Sequence, residues 1–189
     1  MGYPADHKSR TRQRIVAQAT RLFKERGYQG VNIDQIMQTC DLTRGGFYAH
    51  FKSKNDLFIE ALGPPAITAA IDDKDLAESK VTKVLDYYLS PDHRDHPGSG
   101  CPLPALAADV PASTAQARDK YRQTFNGLTA VVASGLEIQS GVSTKARAMA
   151  VPGLMVGGLG LARALARSRL PDTVRAACPE GGAGRTRIP

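Results

Sequence analysis

The sequence predicts an all-α fold, with a three-helix helix-turn-helix domain at the N-terminus and a larger helical domain behind it. Three observations predict it. Apolar residues recur at helical spacing from Ile15 onward, no alternating strand pattern is evident, and a long first helical pattern is followed by two short ones joined by a tight turn.

From Thr11, the residues Ile15, Ala19, Leu22 and Phe23 form one apolar stripe. Gly27 is expected to stop this helix in the left-handed conformation, with Tyr28 folding back onto it. Asn32 is a good N-cap and Gln35 stands at the capping-box position, so Ile33, Ile36, Met37 and Cys40 make a second stripe about two turns long. Asp41 and Leu42 form the turn. Thr43 is placed to cap a third helix, RGGFYAHF, with Phe47 and Phe51 one turn apart. Ser53 with Asp56 is a further capping box, opening a fourth helix through Leu57, Phe58, Ala61 and Leu62. This layout is that of a helix-turn-helix DNA reader, whose third helix enters the major groove.

Charge agrees with it. The 189 residues carry a net charge of +7, and residues 1–54 alone hold ten Lys/Arg against four Asp/Glu, whereas residues 55–162 hold nine against twelve. A basic head on a mildly acidic body suits a polyanion. The length excludes a large multidomain enzyme. The three cysteines, Cys40, Cys101 and Cys178, contain no CxxC pair, which excludes a disulfide framework and a zinc finger and fits a reducing cytoplasm. The polar start, MGYPADHKSRTR, lacks the apolar core of a signal peptide, and Asp6 stands where myristoylation needs Ser or Thr. The expectation is a cytoplasmic chain, neither exported nor lipidated.

The segment RIVAQATRLFKERGYQGVNIDQIMQTCDLTRGGFYAHFKSKNDLF resembles the N-terminal domain of the TetR/AcrR family of bacterial transcriptional repressors over roughly residues 11–62. The resemblance rests on Leu22-Phe23, Gly27-Tyr28, the FYxHF core and Ser53-Lys54 together. It implies that Thr43 and Arg44 open a recognition helix, where a guanidinium suits guanine O6 and N7 or a phosphate. Gly45 and Gly46 each cost a helix about 1 kcal/mol relative to Ala, which close approach to DNA would explain. Tyr48, His50 and Lys54 match family positions that touch phosphates, and Ala49 could meet at most a thymine methyl. Phe47 and Phe51 read as core.

The resemblance also divides the chain into a DNA-binding domain at 1–54 and an effector-binding and dimerisation domain at 55–189, the last part of it, 178–189, reading as a disordered tail. Gly63, Pro64 and Pro65 interrupt the connection, a departure from the family. Beyond them, Val81, Val84, Leu85, Tyr88 and Leu89 fit one helix. Leu103, Leu106, Ala107 and Val110 fit a second, and Ala117, Tyr121, Phe125, Leu128 and Val132 a long third. An effector pocket is expected around Tyr87, Tyr88, Leu106, Tyr121 and Phe125, residues that serve equally well as core. MAVPGLMVGGLGLA at 149–162 is apolar all round but shorter than the roughly 20 residues of a membrane span. It must be buried in protein, its glycines allow close helix approach, and the family builds its dimer interface in this region. Pro152 should start or kink that helix.

The expected protein is a homodimeric repressor that binds a palindromic double-stranded operator, is released by a small-molecule effector, and needs no cofactor, metal or membrane. Four alternatives stand beside it. Cys101, before Pro102 and downstream of His93, Arg94 and His96, stands near a helix N-cap that favours thiolate, and its surroundings resemble the GCxxxxLAxE stretch of redox- or electrophile-sensing relatives, with Asp109 as the acid. His93, His96 and Cys101 could together bind zinc, although a fourth ligand is lacking. GLGLAR at 158–163 is a partial dinucleotide fingerprint of an oxidoreductase, without the strand or the acid about 20 residues on that it requires. A nonspecific DNA-coating protein would need charge alone.

Overall fold

The computed structural model describes residues 5–63, 77–135 and 143–165. All regular structure among the described residues is helical: α1 (Ala5–Arg26), α2 (Ile33–Gln38), α3 (Arg44–Phe47), α4 (Lys54–Ala61), α5 (Ala77–Tyr88), α6 (Pro91–Asp95), α7 (Pro102–Leu106), α8 (Ala115–Ala133) and α9 (Thr144–Ala164). The expectations for Pro64, Pro65, Cys178 and the tail at 178–189 lie outside the described residues. The chain forms two compact units, one from Met1–Gly63 with Pro97–Arg122, the other from Pro64–His96 with Gln123–Pro189.

In the first unit α1 ends where glycine allows it. Gly27 has φ +72° and donates its N–H to the carbonyl of Phe23 at 2.8 Å, a left-handed position that costs a side-chain-bearing residue strain. Tyr28 then packs on the ring of Phe58 at 4.7 Å, and Phe23 meets Phe58 edge to face at 5.5 Å. Asn32 and Gln35 form the reciprocal capping box of α2, and Asp41, at φ +53°, makes the turn into α3. The unit's core joins Ile15, Ala19, Leu22 and Phe23 of α1 to Ile36 and Met37, to Phe47 and Phe51, and to Leu57, Phe58, Ala61 and Leu62.

That core does not stop at residue 54, where the sequence placed the end of the head. It includes α4 and also Leu106, Val110 and Ala117 from the second segment. A reader of about 50 residues buries too little apolar surface by itself, so α4 and the later segment complete it. Polar contacts seal the join: Asp109 accepts the Tyr28 N–H at 3.0 Å, Lys24 donates to the Gly100 carbonyl at 2.8 Å, and Asn55 meets Thr114 at 3.4 Å. The helix expected through Leu103, Leu106, Ala107 and Val110 is shorter than its stripe. α7 ends at Leu106, Ala107 is exposed, and Val110 reaches the core from the turn beyond.

The second unit is held by α5, α6 and α9. Val84, Tyr88 and Leu89 are buried as the stripe predicted. Ser90 caps α6 by accepting the His93 N–H at 3.1 Å. Arg163 of α9 donates to the carbonyls of His93 and Arg94 at 2.6 and 3.1 Å, which satisfies acceptors at the end of α6. Pro152 neither starts nor ends α9, which begins at Thr144 and runs through it. Burial of this helix is one-sided: Ala148, Val151, Met155, Leu159 and Ala162 are buried, while Met149, Leu154 and Leu161 are each more than half exposed. GLGLAR lies wholly inside α9 and its end, so the strand-to-helix turn that a dinucleotide loop needs is replaced by continuous helix. Among the described residues no helix is long and apolar enough to cross a membrane.

Candidate nucleic-acid interface

The turn between α2 and α3 is built by backbone hydrogen bonds from Cys40 and Leu42 to the Met37 carbonyl, at 3.0 and 2.9 Å, and from Asp41 to Gln38 at 3.0 Å. Buried Ile36, Met37 and Phe47 fix both helices on α1, so the residues at the start of α3 are placed by rigid backbone. Thr43 stands at the N-cap with extended backbone, but its hydroxyl makes no capping hydrogen bond and is exposed. The expected side-chain cap is therefore absent, which leaves the hydroxyl directed to solvent.

Arg44, Gly45, Tyr48 and Ala49 are exposed along one short stretch, with Gly46 and His50 half-buried beside them. A methyl group built on Gly45 would meet no atom within 4 Å, and one on Gly46 would make only ordinary contact with Cε of Met37 at 3.6 Å. Neither glycine is required by packing among the described residues. α3 itself is a single turn, Arg44–Phe47, shorter than the expected RGGFYAHF helix, continued by tight turn bonds from Ala49 and His50. The two glycines account for the shortening, since each weakens helix relative to Ala.

Tyr48 is 57% exposed and braced edge to face on Phe47 at 5.3 Å. Nδ1 of His50 is buried without a hydrogen-bond partner among the described residues. Burial, then Lys8 and Arg12 of α1, hold its pKa below the ordinary histidine value, so the ring is neutral near pH 7. Arg12 pairs with Glu60 and lies over the Phe51 ring at 4.7 Å. Lys8 and Arg12 thus add positive charge beside the reader, a pairing that the sequence showed only as a basic run.

Lys54 is placed differently from the expectation. Its ammonium turns inward, donates to the carbonyls of Tyr28 and Val31 at 2.8 Å each, and sits 4.0 Å from the Tyr28 ring centroid. Burial lowers its pKa, opposed by Asp109. It braces the α1–α2 turn with two of its three N–H donors, and the side chain is half-buried.

Sequence reasoning missed Asp34. Its carboxylate accepts from Nη1 of Arg44 at 2.7 Å, and this ion pair spans the two helices of the motif. Asp34 first, then Tyr48, strengthens the protonated guanidinium. No local pattern announces a pair ten residues apart.

Of the residues expected around an effector, Leu106 and Tyr121 belong to the first unit, and Tyr87, Tyr88 and Phe125 to the second. Leu106 and Tyr121 pack into the core of the first unit, with the Tyr121 hydroxyl donating to the Leu103 carbonyl at 2.8 Å and its pKa pushed up to about 12 by burial and by Cys101. Tyr88 is buried and Phe125 half-buried in the second unit, and Tyr87 stacks on His93 at 5.0 Å. Cys101 does occupy the N-cap of α7, but it is fully buried and makes no side-chain cap bond. A thiol closed to solvent is ill-suited to meet an oxidant. Nδ1 of His93 lies 2.9 Å from the Tyr88 carbonyl, and among the described residues no group of three or more His, Cys, Asp or Glu is arranged to hold a metal.

Residues 15–61 match the family model of bacterial regulatory proteins, tetR family. Among curated proteins, the chain is 32% identical over 92 residues to the uncharacterized HTH-type transcriptional regulator YerO of Bacillus subtilis, covering 45% of this chain and 32% of that one. It is 31% identical over 88 residues to the HTH-type transcriptional repressor AcnR of Corynebacterium diphtheriae, covering 46% and 45%. The matched stretch thus spans less than half the length of these relatives. The crystal structure of a TetR-family transcriptional regulator from Cytophaga hutchinsonii superimposes with a TM-score of 0.77 at 19% identity, over 99% of this chain and 100% of that one. Residues 15–61 thus carry the sequence pattern of that family's helix-turn-helix domain, and the chain shares the fold of the Cytophaga hutchinsonii regulator.

Proposed function

We propose that the chain is a repressor of transcription that binds a palindromic DNA operator as a homodimer, is released by a small-molecule effector in its helical body, and works in the cytoplasm without catalysing a reaction. The observation that carries the reading is the start of α3: Arg44, Gly45, Tyr48 and Ala49 exposed together on a buried scaffold, with glycines that no packing among the described residues requires. Backbone that approaches a phosphate chain closely needs such positions, and the flanking Thr43, Tyr48 and His50 supply hydrogen-bonding groups for it. Arg44 reads the base edge.

The homodimer rests on α9. Its exposed residues are Lys145 at the start and then Ala146, Met149, Ala150, Gly153, Leu154, Gly157, Leu161 and Ala164, apolar or small from Ala146 onward. A face of this kind on a soluble helix is covered by a partner, and a second copy presents the same surface about a two-fold axis. Two heads held this way would meet half-sites one helical turn apart. An effector that favours a different separation of the heads would release the operator by shifting a two-state equilibrium.

The test is fluorescence anisotropy with the duplex immediately upstream of the chain's own gene and a shuffled duplex, near physiological salt. Specific binding about a thousandfold tighter supports the reading. Equal binding that fades steeply with salt shows only the phosphate term; either the operator lies elsewhere, which a genome-wide site selection would find, or the chain coats DNA nonspecifically.

A further inference from the structure

We propose that Asp34 is a specificity-determining residue of the DNA reader, acting by fixing the guanidinium of Arg44 so that its free edge faces a base. The inference rests on the DNA reading above and goes beyond it, because Asp34 lies on α2, outside the recognition helix.

The geometry is specific. Asp34 accepts from one nitrogen of Arg44, Nη1, at 2.7 Å. A guanidinium carries five N–H donors in a planar fork, so contacts to Asp34 and Tyr48 still leave donors for the O6 and N7 acceptors of guanine. Both backbones are anchored. Asp34 stands in the first turn of a capped helix, Arg44 follows a turn closed by hydrogen bonds to Met37, and Ile36, Met37 and Phe47 are fully buried between them.

The charges decide which partner Arg44 takes. A carboxylate beside the guanidinium repels a charged phosphate approaching the same group more strongly than it repels a neutral base edge. Asp34 therefore biases Arg44 away from backbone contact and toward base contact. It also removes rotamer freedom from a long side chain before the duplex arrives, which lowers the ordering cost of binding. In the free protein the two side chains are 61% and 44% exposed, so the pair contributes little to folding. A purely structural role would thus be nearly silent in every assay.

The test is selection from a library of duplexes with a randomised central segment, using the full chain as wild type, D34N, D34E, R44A and the D34N/R44A double variant. Anisotropy on the enriched duplex and on a shuffled one follows, with thermal melting of each variant alongside. A good bidentate contact discriminates between bases by roughly 5- to 150-fold. The expected result is that D34N loses about five- to tenfold of the discrimination at one symmetry-related base pair, with shuffled-duplex affinity unchanged or raised. D34E is expected to retain the preference, which also covers the case of a poorly folded D34N, and in the R44A background D34N should change nothing further. A D34N preference that superimposes on wild type overturns the proposal, as does an equal rise in affinity for every duplex or a D34E that fails to retain the preference. If wild type enriches no sequence at all, the DNA-reading proposal itself fails; an enriched sequence indifferent to Asp34 defeats only the present inference.

Discussion

Gly45 separates what a residue does for the fold from what it does for a partner. Its backbone does not need positive φ, and a methyl group there would touch nothing within 4 Å. Replacing it with Ala should therefore stabilise α3, by up to about 1 kcal/mol from helix propensity. The same methyl would stand in the space proposed for the DNA backbone. Gly45→Ala is expected to raise the urea midpoint slightly while weakening operator binding at least tenfold, or about 1.4 kcal/mol. Stability and affinity rising together would show that the backbone does not approach DNA there. Lys54 shows the opposite case, in which the side chain that the family pattern assigns to phosphate serves the fold, holding two carbonyls and an aromatic ring.

At the scale of elements, the head depends on a segment far away in the chain. Asp109 follows α7 by three residues, yet it receives the N–H of Tyr28, the residue that closes α1. Removing that acceptor leaves a partly buried donor unsatisfied, which costs roughly 1–3 kcal/mol. Asp109→Ala is expected to lower the stability of the full chain by that amount in urea denaturation, with an unchanged slope. No loss would mean that water replaces the carboxylate and that the 97–122 segment merely lies against the head. The periodic stripe through Val110 was legible in the sequence, but the end of α7 at Leu106 was not. The turn that follows still carries Val110 into the core, so an apolar spacing persisted after the helix had stopped.

At the scale of the molecule, α9 carries the surface proposed for the dimer. Leu154 and Leu161 lie seven residues apart on one face, each 56% exposed, with Gly157 between them. Substituting both leucines with Glu should convert a dimer to a monomer in sedimentation equilibrium and leave the helical circular dichroism intact. Affinity for a palindromic duplex should then fall by about a hundredfold or more, because the second head no longer binds at the effective concentration set by the first. A double variant that sediments as wild type would place the interface elsewhere.

The helix ends and apolar stripes of the head are written in local residue order: the left-handed stop at Gly27, the capping box of Asn32 and Gln35, the Ser53 cap and the stripes that become the core. Each depends on residues within about one helical turn of one another, so spacing and residue chemistry suffice. Tertiary structure decided which side chains face outward and what they meet. It paired Arg44 with Asp34, turned Lys54 inward, drew Leu106 and Tyr121 into the head's core, buried Cys101 and left one side of α9 open. These outcomes depend on contacts between groups distant in the chain, or on which face of a helix the rest of the fold covers, and no local spacing encodes either.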